Sequence, residues 1–259
     1  MGILNVTPDS FSDGGDFVSV PAALAHVRRM VEEGAAIIDV GGESTRPGAL
    51  SVPIEEELRR VIPVIRALAA ELSVPISIDT TKPEVMRAAV EAGAGFINDV
   101  YALRAPGALA MAATLGVPVC LMHMQGEPRT MQQNPHYDDV VGEVSAFLAA
   151  RVQACRDAGI PDRQLLIDPG FGFGKTVRHN LQMLNMLDSL RKIGPPLLVG
   201  LSRKSFLGAV LDTPVTARLH AGLAAATVAV MKGAALIRTH DVGPTVEALK
   251  LCAALDALD

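Results

Sequence analysis

Asp79, Asn98, Asp168, Lys204 and Arg238 are the side chains best suited to chemistry in this chain, and each ends or closely follows a short apolar run. A carboxylate accepts two parallel N–H bonds from an amidine-like edge, such as that of a guanine or a 2-amino-4-oxo pterin, and an amide beside it both donates and accepts. Asp79, Asn98 and Asp168 therefore describe a pocket for a flat heterocycle at least as well as an acid–base pair. They make a poor zinc cage, because no suitably spaced pair of histidines accompanies them. Cations gather near the last two of the apolar runs: Arg203 and Lys204 after one, Arg238 and His240 after the other. Arginine suits phosphate through its rigid fork of donors, so this cluster reads as an anion site.

Three loops add to the picture. "DPGFGFGKT" has a proline, Pro169, where a P-loop ending in Gly174-Lys175-Thr176 needs its first glycine, and its glycine spacing does not fit a dinucleotide fingerprint. It reads instead as a mobile loop whose two aromatics, Phe171 and Phe173, cover a flat ligand. "TPDSFSDGG" and "GGESTRPG" mix glycine hinges with polar side chains, and Arg46 adds a cation. Both read as loops that close over a bound anion, with Phe11 as a lid residue.

The elements that must position these residues alternate regularly. Apolar runs at 2–6, 36–40, 75–79, 95–98, 117–123, 165–168, 197–201 and 235–238 read as strands, and helical patterns at 21–33, 54–72, 84–92, 138–158 and 217–232 lie between them. Thr81 is spaced for a capping box with Glu84 at the start of the third of these helices. Eight strand–helix units predict a (β/α)₈ barrel forming a single domain over residues 1–259. An open doubly wound sheet is the runner-up, but the glycine-rich turn usual after its first strand is missing. In a barrel, Asn5, Glu43 with Ser44 and Thr45, Asp79, Asn98, His123, Asp168, Ser202 to Lys204, and Arg238 with His240 all converge on the face where the strands end.

Composition bounds the rest. The chain has 259 residues, is 49% hydrophobic and carries a net charge of −5, which argues against nucleic-acid binding through bulk charge. The three cysteines form neither a metal spacing nor a disulfide framework and read as buried thiols. No apolar run reaches the ~20 residues of a membrane span. The expected location is the cytoplasm.

The long motifs "GILNVTPDSFSDGG", "IIDVGGESTRPG", "ISIDTTKPEV", "INDV", "CLMHMQG", "LLIDPGFGFGK", "LLVGLSRKSFLG" and "IRTHDV" resemble, in order and over nearly the whole chain, the bacterial dihydropteroate synthase family. The resemblance implies a transferase of folate biosynthesis. It would condense 6-hydroxymethyl-7,8-dihydropterin pyrophosphate with p-aminobenzoate through a pterin-cation-like intermediate, with Mg²⁺ as cofactor, and act as a homodimer. It implies that Asp79, Asn98, Asp168 and Lys204 hold the pterin edge, with Met122 and Arg238 against its faces. Asn5 would meet the metal, and Thr45, Arg46, Arg238 and His240 the pyrophosphate. Phe11, Pro47, Phe173 and Ser205 would surround p-aminobenzoate, where sulfonamides compete. Asn5, Asp13 and Asp79 would face the electron-poor carbon, and Lys204 and Arg238 complete the catalytic set. Two features depart from the family pattern. His220-Ala221-Gly222 stands where the family has Gly followed by Ser or Thr, and the first strand begins at the first residue, where the family carries an extension. Rival readings are a pterin-dependent methyltransferase and an inactive pterin-binding homologue.

Overall fold

The computed structural model of the chain describes residues 1–7, 19–45 and 48–257. Eight parallel strands follow one another around a barrel: β1 (Gly2–Asn5), β2 (Ile38–Gly41), β3 (Ile76–Asp79), β4 (Phe96–Asp99), β5 (Val119–Met122), β6 (Leu165–Asp168), β7 (Leu197–Gly200) and β8 (Ala234–Arg238). β8 returns to β1 through Ile3 N–H to Thr239 O at 3.0 Å and Thr239 N–H to Met1 O at 2.9 Å. The doubly wound alternative is excluded by this closure. Helices α1 (Val20–Glu32), α2 (Ile54–Glu71), α3 (Pro83–Glu91), α4 (Ala108–Leu115), α5 (Val140–Asp157) and α6 (Val177–Asn185) fill the first six crossovers. α7 (Ser205–Leu211) and α8 (Leu219–Met231) share the seventh, and α9 (Val242–Asp256) follows β8.

Strand parity organises the interior. Successive side chains alternate between faces of a sheet. On one parity Leu4, Ile38, Val40, Ile78, Ile97, Val119, Leu121, Ile167 and Val199 are fully buried in the main core with the helices. Each such side chain contributes about 1.5–3 kcal/mol relative to exposure. On the other parity Met1, Phe96, Cys120 and Leu198 pack together with Ile37, Leu166 and Leu236. Two residues further along the same strands stand Asp39, Asn98, Met122, Asp168 and Arg238. The barrel thus has an apolar floor and, one pleat above it, a polar mouth.

The structure corrects two local expectations. No capping box joins Thr81 to Glu84: the N-cap position of α3 is Lys82, which makes no side-chain cap bond and whose N–H donates to Thr80 Oγ1 at 3.3 Å. The capping box found lies at the start of α6, between Thr176 and His179. The helical pattern at 217–232 begins later, at Leu219, because residues 215–217 form a 3₁₀ turn. Gly222 within α8 has open space where a Cβ would stand, so packing does not require glycine at that position.

Candidate active site

The parity that places Arg238 at the end of β8 brings it across the barrel to the second and third strands. Its Nε donates to Asp39 Oδ2 at 2.6 Å and its Nη2 to Asp79 Oδ2 at 2.8 Å. Asn98 Nδ2 donates to the same Asp39 oxygen at 3.1 Å, which leaves the Asn98 carbonyl for a ligand N–H. Asp39 is wholly buried, and its Oδ1 has no hydrogen-bond partner among the described residues. Burial raises the Asp79 carboxyl to about 7 against the pull of Arg238, with Asp39 adding to the rise. Burial also works against the Arg238 charge, but Asp39 and Asp79 outweigh it and hold the guanidinium firmly protonated. Asp39 is a site residue that strand-end position alone does not reveal. The signal was there: a carboxylate inside the apolar run "IIDV", at the parity of the other mouth residues, is buried charge that needs a partner.

On the opposite side, Asp168 ends β6. Its Oδ1 accepts the Gly170 N–H at 2.7 Å, and burial raises its carboxyl to about 6 despite that bond and nearby Lys204 and Arg238. Lys204 sits just ahead of α7, and its Nζ lies 4.2 Å from the centre of the Phe173 ring. Burial lowers the Lys204 ammonium to about 8, with Asp168 opposing. Met122, Met124, Met131 and Val100 form an apolar wall against which Phe173 and Tyr101 pack. Ser205, the first residue of α7, is exposed, and Asn5 is half-buried at the end of β1.

The loop after β6 is tied down rather than free-standing, and its two aromatics part company. Phe171 is 1% exposed and stacks on Phe206 in the core, so Phe173 alone of the pair is available to a ligand. Gly172 N–H bonds Asn180 Oδ1 at 2.7 Å, and Tyr137 donates its hydroxyl to Gly174 O at 2.9 Å. Lys175, in the place of a P-loop lysine, is buried: its Nζ reaches His123 Nδ1, Gly170 O and Phe173 O.

The anion cluster is also smaller than the sequence suggests. Arg203 is engaged by Asp241, just beyond β8, with Nη2 2.6 Å from Oδ1, and is half-exposed. Its φ of +59° turns the chain so that Arg203 and the next residue, Lys204, diverge. His240 stays at the rim, with Nδ1 3.0 Å from Ser202 Oγ. Thr45 lies beyond β2, on a segment whose base is held by Lys82 bonding both Glu43 and Glu57, and by Arg60 Nη1 donating to Gly42 O at 2.8 Å. Phe11, Asp13, Arg46 and Pro47 lie outside the described residues. Among the described residues, no group of three or more His, Cys, Asp or Glu is arranged to hold a metal ion, and no helix is long and apolar enough to cross a membrane.

Residues 1–240 match the family described as pterin binding enzyme. The dihydropteroate synthase of Escherichia coli (strain K12) is 54% identical over 251 residues, covering 97% of this chain and 89% of that one. Among solved structures, a Yersinia pestis dihydropteroate synthase in a sulfonamide drug complex superimposes with a TM-score of 0.95 at 50% identity, covering 99% of this chain and 93% of that one. A Xanthomonas albilineans dihydropteroate synthase with 4-aminobenzoic acid gives 0.93 at 56% identity, with 99% and 92% covered. With a closed barrel, a carboxylate–amide–lysine pocket at its mouth and this likeness over nearly its whole length, the chain belongs to the pterin-binding enzymes, on the dihydropteroate synthase branch.

Proposed function

We infer that the chain condenses 6-hydroxymethyl-7,8-dihydropterin pyrophosphate with p-aminobenzoate to give 7,8-dihydropteroate and pyrophosphate. The observation that carries this is that the polar groups of the mouth are only half-satisfied. Asp168 spends one oxygen on a backbone N–H, Asn98 keeps its carbonyl, and Lys204 has no carboxylate in salt-bridge distance among the described residues. A pterin edge supplies the missing partners: paired N–H donors for Asp168, a further N–H for Asn98 and acceptors for Lys204.

Chemically, the bond between the pterin methylene carbon and the pyrophosphate oxygen breaks with its electrons leaving on pyrophosphate. The arylamine nitrogen then attacks the carbon and loses a proton. Asp79, with Asn5 and Asp13, faces the developing cation, which is stabilisation by preorganised charge and needs no covalent nucleophile. Arg238, with Thr45, Arg46 and His240, takes the leaving group. Met122 covers the ring, and Phe11, Pro47, Phe173 and Ser205 border the arylamine, where a sulfonamide would compete. Phe11, Asp13, Arg46 and Pro47 are assigned by their motifs alone. Mg²⁺ fits this donor set, since it commonly takes one or two protein oxygens and completes its shell with water and phosphate. The Asn5 carbonyl offers such an oxygen, and the ion would neutralise charge on the departing pyrophosphate.

The whole chain is taken as one domain. The three free, buried cysteines suit a reducing cytoplasm. Val210, Leu211, Val215, Val228 and Met231 are exposed on or beside α7 and α8, and this apolar face supports a homodimer. Incubation with both substrates and Mg²⁺ tests the reading: dihydropteroate and pyrophosphate should appear in equal amounts. Pterin binding without pyrophosphate release would return the methyltransferase or inactive-homologue reading, neither of which the relatives favour.

A further inference from the structure

We propose that Lys175 is a positioning residue, whose buried ammonium fixes the turn that carries Phe173 and so sets the aromatic wall of the arylamine subsite. This rests on the reading of Phe173 given above. Lys175 is 3% exposed, and the reaction as derived makes no use of it. Its Nζ lies 2.9 Å from His123 Nδ1, 3.0 Å from Gly170 O and 3.2 Å from Phe173 O. An ammonium has three N–H donors, and these three acceptors use them all. No carboxylate stands within salt-bridge distance among the described residues. Burying a cation with no carboxylate in contact is costly: burial lowers the Lys175 ammonium to about 7, with the more distant Asp168 opposing, and an apolar side chain of the same length would avoid that cost.

The bonds explain what offsets it. Phe173 N–H closes a turn onto Gly170 O at 3.1 Å, and Lys175 grips the carbonyls at both ends of that turn. It then ties the turn to the end of β5 through His123, which must be neutral with a lone pair on Nδ1. Burial, with Lys175 and Arg104 adding, pushes the His123 imidazole down to about 2 and keeps it so. The fit between the two segments is close. Gly170 has φ +68°, and a Cβ there would lie 1.9 Å from His123 O. Other bonds hold the flanking glycines: Asn180 and Gln132 at Gly172, and Tyr137 at Gly174. The carbonyl of Phe173 itself is held by Lys175. Phe173 is thus fixed from behind by one lysine while its ring faces another, Lys204.

The chain contains no tryptophan, so Phe173→Trp introduces a single reporter at the position in question. Adding Lys175→Met to that variant should shift its emission to the red and increase quenching by acrylamide. In the chain with Phe173 intact, Lys175→Met should raise KM for p-aminobenzoate on the order of tenfold, with KM for the pterin pyrophosphate moving less than about threefold. His123→Gln, which keeps an acceptor, should retain more of the original KM than His123→Leu. If Lys175→Met does not fold, His123→Leu with the same reporter reads the same loss. Unchanged emission and quenching would overturn the proposal. A shifted emission with an unmoved KM for p-aminobenzoate would support the positioning role and overturn the assignment of Phe173 to the arylamine.

Discussion

Arg238, on one side of the barrel mouth, gives two N–H groups to Asp39 and Asp79, whereas the Lys204 ammonium, on the other, makes no ion pair among the described residues and lies over the face of Phe173. The first side is a closed ion-pair cluster. Two carboxylates share one guanidinium, and Asn98 adds a donor to Asp39. The second side is open. Asp168 touches a backbone N–H, and Lys175 meets three neutral acceptors. The contrast separates scaffold from recognition. A cluster whose charges pair with one another, even with Asp39 Oδ1 left over, holds its shape before any ligand arrives, and a ligand anion must share Arg238 with two carboxylates. Groups left half-satisfied bind the molecule that supplies the missing partners.

The largest effect should come from the closed side. Arg238→Ala leaves Asp39 and Asp79 facing each other without a cation, and breaking a buried pair in this way costs about 3–5 kcal/mol. Thermal unfolding should show a large fall in Tm together with a collapse in kcat/KM. Adding Asp39→Asn should return part of the lost stability. A stable Arg238→Ala protein would mean that the cluster does not hold the mouth together.

Asp168→Asn on the open side should do the reverse to stability. Its carboxyl titrates near 6 in the folded chain against 3.8 in the unfolded one, because burial disfavours the charge. Between those values the folded state binds more protons, so this group's contribution to stability falls as pH rises toward 6. The amide removes that loss, and Tm at pH 7.5 should hold or rise. Pterin affinity should nonetheless drop by about 1–3 kcal/mol, roughly 5- to 150-fold, because a donor now faces a donor. Calorimetric titration of the original chain should show affinity rising with pH up to about 6 and then levelling, a dependence that Asp168→Asn should abolish. Unchanged affinity in the variant would place the pterin edge elsewhere.

The smallest effect belongs to Arg203→Gln. Its pair with Asp241 is half-exposed, and such pairs contribute about 0–1 kcal/mol. KM for both substrates should stay as it was. A marked rise in KM for the pterin pyrophosphate would restore Arg203 to the anion site.

Much of this site was legible before the structure. Asn98 and Asp168 end apolar runs, and strand parity alone carries them to the mouth, above the floor of Phe96 and Leu166. Helix starts were less legible. Thr81 has the spacing of a cap, yet α3 starts without a side-chain cap, and the hydroxyl engaged beside it is that of Thr80, which accepts from Lys82 N–H ahead of the helix. Phe171 and Phe173 were indistinguishable, since glycines flank both and no periodic pattern fixes their direction. The packing of Phe206 decided which of the two went inside.

The amino-acid sequence by itself determined the alternation of strands and helices, the polar strand ends and the family, because these depend on residue type and on spacing within one element. Which charge meets which was decided only when the barrel closed. Arg238 finds Asp39 from 199 residues away and Asp79 from 159, while Arg203 and Lys204, adjacent in the chain, go to opposite partners. Local periodicity reaches only a few residues, whereas a salt bridge depends on distance in space, and the curvature of eight paired strands supplies that distance.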